Sequence, residues 1–442
     1  MDRREFIKAA GIGAAAMGVA ACAPKTIKNE EGSVEKNLNG KMLQNYPGIG
    51  TLGFGCMRWP MVKGEDGRDR INQEEVNRMV DLAMAKGVNY YDTSPVYLGG
   101  DSERATAEAL NRYPRDKWLL ATKLSNFSDA SYPNSVAMYR KSLEIFKTDY
   151  IDYYLLHSVS GGADFERRFG STGIMDFLMK EREAGHIRNL GFSFHGPQTG
   201  FDELMALHEK YHWDFVQIQM NYIDWTHAGG RNTNAEYLYA ELDKREIPVV
   251  IMEPLRGGRL ADMPAGLADQ LKSREPQKSL ASWAFRFVGS FPRVLTALSG
   301  MTYMEHLEDN LDTFLDFEAL NEEEIKFLDG IAHQMESYPL VRCTTCQYCM
   351  PCPYGIDIPG IFSFYNKHVN AGTYVVSKEQ EGYSKARRKY LLDYDKSIPT
   401  VRQADHCIRC GKCTPACPQR IAIPRELRRI DQYIESLKQE TL

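Results

Sequence analysis

The chain has 442 residues, with 54 Lys and Arg against 59 Asp and Glu and a formal net charge of −5. That mild acidity excludes a globally basic nucleic-acid binder, and no Lys/Arg block marks a local one. Charged residues break every apolar stretch after residue 25, so no run there is long enough to span a bilayer. At roughly 100–200 residues per domain the length predicts two or three folding units. Eight of the ten cysteines fall between Cys343 and Cys417, leaving a cysteine-poor body and a cysteine-dense tail.

The N-terminus opens Asp2-Arg3-Arg4-Glu5-Phe6-Ile7-Lys8, and residues 9–21 are small and apolar. A charged start, an apolar run and small residues before a cut site predict an export signal over residues 1–22. The paired arginines followed by Phe-Ile-Lys resemble the twin-arginine type. Val19-Ala20-Ala21-Cys22 resembles a lipobox, which would attach a lipid at Cys22 as the one link to a membrane. Residues 23–45 read as a polar tether. The expected location is periplasmic, or membrane-anchored through that lipid.

Short apolar runs follow at 49–55, 88–92, 119–123, 151–157, 189–194, 215–221, 249–254 and 294–299, separated by amphipathic stretches. One stretch starts with Asn72-Gln73-Glu74-Glu75, resembling a capping box. It continues with Val76, Met79, Val80 and Ala83 at helical spacing and stops at Lys86-Gly87. Buried parallel strands read as continuous apolar runs because both faces are covered. Eight strand-helix units in about 250 residues predict an α/β fold, a (β/α)8 TIM barrel over 46–335. A doubly wound sheet is the rival. It would carry a Gly-x-Gly-x-x-Gly turn after the first strand, and Leu52-Gly53-Phe54-Gly55-Cys56-Met57 does not supply one.

In such a barrel the chemistry gathers where strands end. The second run ends in Tyr91-Asp92-Thr93-Ser94 with Tyr97 just beyond, the third in Ala121-Thr122-Lys123, the fourth in Tyr154-Leu155-Leu156-His157. Each has a bland reading alone: a helix cap, a packed ring, a solvated cation, a structural imidazole. Together they suit carbonyl reduction, in which hydride addition leaves an alkoxide that needs a proton donor. A phenol is a weak acid, but a nearby ammonium stabilises its phenolate. Lys123 would play that part for Tyr97, with Asp92 fixing the lysine and His157 orienting the substrate oxygen.

Residues 45–330 resemble the aldo-keto reductase family. The matching stretches include residues 87–97, Ser102-Glu103, Ala121-Thr122-Lys123, residues 152–157, Gly191-Phe192-Ser193, residues 217–221, Pro254-Leu255 and residues 307–310. The resemblance implies a catalytic tetrad of Asp92, Tyr97, Lys123 and His157. It also implies NAD(H) or NADP(H), held at Gly55, Cys56, Met57, Ser193, Gln217, Leu255, Gly257, Asp309 and Asn310. The cofactor side departs from the family: Phe194 stands where an Asn is usual, and Met252 where many members stack a Tyr. The usual cations for a 2′-phosphate map near Gly300 and His306, leaving Arg256 or Arg259 as substitutes. Residues 158–173 and 223–234 are expected to line the substrate pocket.

The tail, residues 336–442, carries Cys343-x2-Cys346-x2-Cys349-x2-Cys352-Pro353 and then Cys407-x2-Cys410-x2-Cys413-x3-Cys417-Pro418. The second run has bacterial ferredoxin spacing, and the first is one residue short before its Cys-Pro. Each is followed by a related phrase ending Ile-x-Ile-Pro, at Ile356-Asp357-Ile358-Pro359 and Ile421-Ala422-Ile423-Pro424. That repeat predicts a small, mainly helical ferredoxin-like iron-sulfur domain with two [4Fe-4S] clusters. Crossed wiring would give one cluster Cys343, Cys346, Cys349 and Cys417, and the other Cys407, Cys410, Cys413 and Cys352. The shortened first run leaves that wiring open. Zinc pairs and disulfides are the alternatives, and cysteines three apart make poor disulfide partners.

The expected function is an exported oxidoreductase acting on a small carbonyl or alcohol, with an electron-transfer partner for its clusters. The rival is an electron-transfer protein whose barrel is a docking or structural module. No flavin motif bridges two-electron hydride chemistry and one-electron clusters.

Overall fold

The computed structural model describes residue 46, residues 48–229 and residues 232–442. The export signal, the tether and Cys22 lie outside the described residues. Eight parallel strands close a barrel: β1 (Leu52–Gly55), β4 (Tyr90–Asp92), β5 (Leu119–Leu124), β6 (Ile151–Val159), β7 (Ile187–Phe194), β8 (Phe215–Gln219), β9 (Val249–Met252) and β10 (Val294–Ser299). Each matches one of the eight apolar runs. The ring closes where β1 pairs with β10 on one side and β4 on the other.

Strand ends were the least legible part. Residues 49–51 precede β1 because the Asn89 side chain holds them, accepting from Gly50 N at 2.8 Å and donating to Gly48 O at 2.7 Å. Inside the barrel Tyr90, Ala121, Tyr153, Leu155, Phe215, Val250, Leu295 and Leu298 pack together, large against small. Gly191 makes room for this packing: a Cβ there would stand 2.3 Å from Phe215 O and 2.9 Å from its ring.

The helix Gln73–Ala85 starts as expected, with Asn72 Oδ1 accepting from Glu75 N at 3.3 Å, and it buries Val76, Met79, Val80 and Ala83. A hairpin of β2 (Met61–Lys63) and β3 (Asp69–Ile71) was not foreseen. Its residues are mostly exposed, so neither an apolar run nor a clean alternation announces it.

The chain divides into two compact units. The second unit gathers Phe327–Leu442 with two earlier segments, Tyr222–Asn234 and Leu255–Ala281, which follow β8 and β9 in the chain. Its core comes from the helices Ile358–Asn370, Tyr383–Ser397 and Ile423–Gln439. The last of these buries Ile423, Leu427, Ile430, Ile434 and Leu437 at alternating spacings of four and three, one face of a helix. Two of the three helices begin at the repeated Ile-Pro, where proline's missing N–H costs nothing in the first turn. No described helix is long and apolar enough to cross a membrane.

Candidate functional site

Parallel register brings the strand ends level. Asp92 pairs with Ala121, and Lys123 with Leu155, so Asp92, Lys123 and His157 reach the same end of the barrel. Lys123 Nζ donates to Asp92 Oδ1 at 2.5 Å and to Thr93 O at 2.8 Å, with both side chains buried. The other Asp92 oxygen accepts from Gln217 Nε2 at 3.1 Å. Burial is the largest influence on both charges, pushing Asp92 above and Lys123 below its usual range, and each partner's charge pulls the other back.

Tyr97 enters from the turn after β4. Its N–H donates to Ser94 O at 3.1 Å, and the chain then passes through left-handed Leu98, Gly99 and Gly100. The two glycines meet that demand without a Cβ penalty. The turn sets the Tyr97 ring 4.8 Å from Lys123 Nζ and 5.7 Å, edge-on, from the His157 ring. All four tetrad residues therefore converge.

Sequence reasoning missed what orients His157. Its Nδ1 lies 2.6 Å from Ser125 Oγ and 3.3 Å from Ser94 Oγ. With Ser125 donating to Nδ1, the ring hydrogen is assigned to Nε2. Burial, and then the charges of Lys123 and Arg168, hold the imidazole well below its ordinary value, so it is neutral at physiological pH. Phe127 lies 5.0 Å from the His157 ring and 4.5 Å from the Arg168 guanidinium, which is buried and bonded to Asn126, Ser158 and Asp164. Both serines lie within two residues of a tetrad member in sequence, the one signal that was available.

Among the expected cofactor residues, Ser193 Oγ accepts from Ser158 N at 2.7 Å. That leaves its hydroxyl to donate and the Gln217 carbonyl oxygen to accept, a pair that matches a carboxamide such as that of nicotinamide. Asn310 is buried and donates to Ser299 Oγ at 2.9 Å, and Asp309 is half-buried on the same helix. Gly55 and Met57 sit at the end of β1. The Cys56 thiol is wholly buried, donates to Phe54 O at 3.6 Å, and is pushed far up by burial. Phe194 is buried against Phe201 at 5.0 Å and does not present a polar group.

Leu255 and Gly257 belong to the second unit, where a Cβ on Gly257 would stand 2.5 Å from Thr344 Cα. Gly257 thus serves close packing against the cysteine segment. Arg256 is buried and paired with Asp224 at 3.0 Å, so it is not held ready for a phosphate. Arg259 is drawn into the surroundings of Cys343, where burial lowers it to about 9. The cation that the fold brings to Gly300 is Arg58, whose Cδ would lie 2.8 Å from a Cβ there.

In the second unit Cys343, Cys346, Cys349 and Cys417 line one cavity, with Ile358, Phe362, Ile421 and Ile423 around them. Burial first, and then Cys346, Cys343 and Cys417, push the Cys349 thiol up to about 12. Cys413 is likewise raised by burial and by Cys407 and Cys410. Among the described residues no three His, Cys, Asp or Glu side chains converge on a single metal ion. A cubane presents its irons at four separate corners, so thiols spread around a cavity suit it better.

The Aldo/keto reductase family matches residues 51–333, and a 4Fe-4S dicluster domain matches residues 342–423. An aldo-keto reductase of Mycolicibacterium smegmatis is 30% identical over 267 residues, 60% of this chain and 85% of that protein. L-galactose dehydrogenase of Arabidopsis thaliana is 23% identical over 295 residues, covering 62% and 86%. The solved structure of an aldo-keto reductase from Bacillus halodurans, in its holo form, superposes with a TM-score of 0.52 at 21% identity. The match covers 66% of this chain and 96% of that one. An aldo/keto reductase from Klebsiella pneumoniae, solved with NADP and acetate, gives 0.51 at 22% identity, covering 64% and 92%.

Proposed function

This chain belongs to the aldo/keto reductase family. From that premise we propose that it is an exported NAD(P)-dependent oxidoreductase interconverting a small carbonyl and its alcohol, and carrying two [4Fe-4S] clusters. The observation that carries the reading is the convergence of Asp92, Lys123, Tyr97 and His157, with Lys123 Nζ 2.5 Å from Asp92 and 4.8 Å from the Tyr97 ring.

A nicotinamide bound there would supply or accept the hydride. Ser193 and Gln217 would hold its carboxamide, and the solved Klebsiella relative carries NADP. His157 donates from Nε2 to the substrate oxygen, and Ser125 and Ser94 keep the ring turned to do so. Tyr97 gives its phenolic proton to that oxygen as charge develops, and the Lys123 charge stabilises the phenolate left behind. Asp92 and Thr93 O fix Lys123 at that distance. Alcohol oxidation runs the same proton back to Tyr97.

Cys343, Cys346, Cys349 and Cys417 would hold the first cluster, and Cys407, Cys410, Cys413 and Cys352 the second. The shared cavity of the first set supports the crossed wiring despite the shortened spacing. Export rests on Arg3-Arg4 and the apolar run after them, and lipidation on the phrase ending at Cys22. The second reading, an electron-transfer protein with a docking barrel, draws on buried Phe194 and on the pairing of Arg256 with Asp224.

Fluorescence titration of anaerobically purified protein with NADH and NADPH separates the two. Saturable binding of either nucleotide is expected. Tyr97→Phe should bind equally well and lose about 10²–10⁴ in turnover on a reducible substrate. Full turnover by Tyr97→Phe sinks the mechanism, and failure to bind either nucleotide leaves the electron-transfer reading.

A further inference from the structure

Arg259 sits on the segment Leu255–Ala281 of the second unit. Two residues earlier, Gly257 is pressed against the backbone of Thr344, the neighbour of Cys343, so close that a Cβ would overlap it. Arg259 carries the next side chain along the chain. Arg259 Nη1 is buried with no hydrogen-bond partner. The charged groups that act on it are Arg256, Asp224, Arg342 and Cys343. Arg256 is matched by Asp224 at 3.0 Å, and Arg342 by Glu336. Three guanidiniums thus face two carboxylates, and the unmatched positive charge is Arg259.

A buried guanidinium without a carboxylate is costly. A negative group close by would offset that cost. Four thiolates on a [4Fe-4S]2+ core carry a net charge of −2, and taking up one electron makes it −3. A fixed cation in low dielectric favours the more negative state.

We propose that Arg259 is a positioning residue for redox, holding the reduction potential of the cluster on Cys343, Cys346, Cys349 and Cys417 above the value those thiolates would otherwise give. The inference rests on the cluster reading above. The step is [4Fe-4S]2+ plus one electron giving [4Fe-4S]+, with the electron supplied by dithionite in the test. Cys410, in the other set, is exposed.

The test is an EPR-monitored dithionite titration of the anaerobic full chain after iron and sulfide analysis. The signal that Cys346→Ser abolishes identifies the first cluster. Arg259→Gln is expected to weaken that cluster's one-electron reduction about tenfold, ~59 mV, and to leave the second unmoved. Arg259→Lys keeps the charge and should retain most of the wild-type potential. Asp224→Asn, which removes a negative charge, should shift it the opposite way, and it keeps the proposal testable if Arg259→Gln does not fold. Absence of iron and sulfide in wild-type protein overturns the cluster reading itself. Iron-replete variants with no shift, with both clusters shifting alike, or with Arg259→Lys matching Arg259→Gln, overturn the role of Arg259 alone.

Discussion

In the barrel unit the buried charges near the site meet protein partners: Asp92 has Lys123 and Gln217, and buried Glu103 accepts from Thr122 at 2.6 Å and Ser142 at 2.8 Å. In the iron-sulfur unit the cysteines face one another instead, and Cys349, Cys413 and Cys417 are all raised by burial. The first site is held ready by peptide geometry, since each strand end is fixed by its neighbours' ladders. The second concentrates thiols whose protons a metal would displace, so folding and metal binding are coupled there. A mutation in the first unit should therefore show in turnover, and one in the second in metal content and stability.

The sharpest break with that contrast comes from Lys123→Met. It removes the partner that sits 2.5 Å from buried Asp92 and should cost about 3–5 kcal/mol in urea unfolding, with turnover lost. Iron content should not change, and a parallel loss of iron would show that the two units do not behave separately.

Next in size is Gly257→Ala. The new methyl overlaps Thr344 and forces a side chain to φ +71°, so the cysteine segment must shift. A loss of about 1–3 kcal/mol is expected, seen as faster release of iron to a chelator, with the barrel's unfolding unchanged. An unaltered release rate argues against this contact.

The smallest effect is one of pH. His157 has its folded pKa well below 6.5, so between those values the unfolded chain binds a proton that the folded chain does not. Stability therefore rises with pH through that window and is fully present above 6.5. His157→Asn should remove up to about 1.4 kcal/mol per pH unit from the slope between pH 5 and 6.5. His208 and His368, also lowered by burial, contribute equally to both proteins. An unchanged slope would mean that His157 is not buried neutral.

The tetrad was legible because each member ends a strand or follows one, and strand ends announce themselves as apolar runs meeting polar residues. The cysteines were legible by spacing and by the repeated Ile-Pro that starts two helices. Ser94 and Ser125 were invisible as partners of His157, because the bond joins residues 63 and 32 positions away. Arg256 and Arg259 looked like phosphate ligands from their place after the seventh apolar run. Only the path of their segment gives one to Asp224 and the other to the surroundings of Cys343.

Local chemistry, written in sequence order, determined the barrel's eight strands, the four residues at their ends and the eight cysteines of the tail. Apolar periodicity and Cys-Pro spacing are properties of short stretches. Tertiary structure decided which thiols share a cavity, what holds His157, and that the segments after β8 and β9 fold with the tail. Those outcomes depend on packing between residues far apart in sequence, such as Gly257 and Thr344, and no local pattern encodes such a meeting.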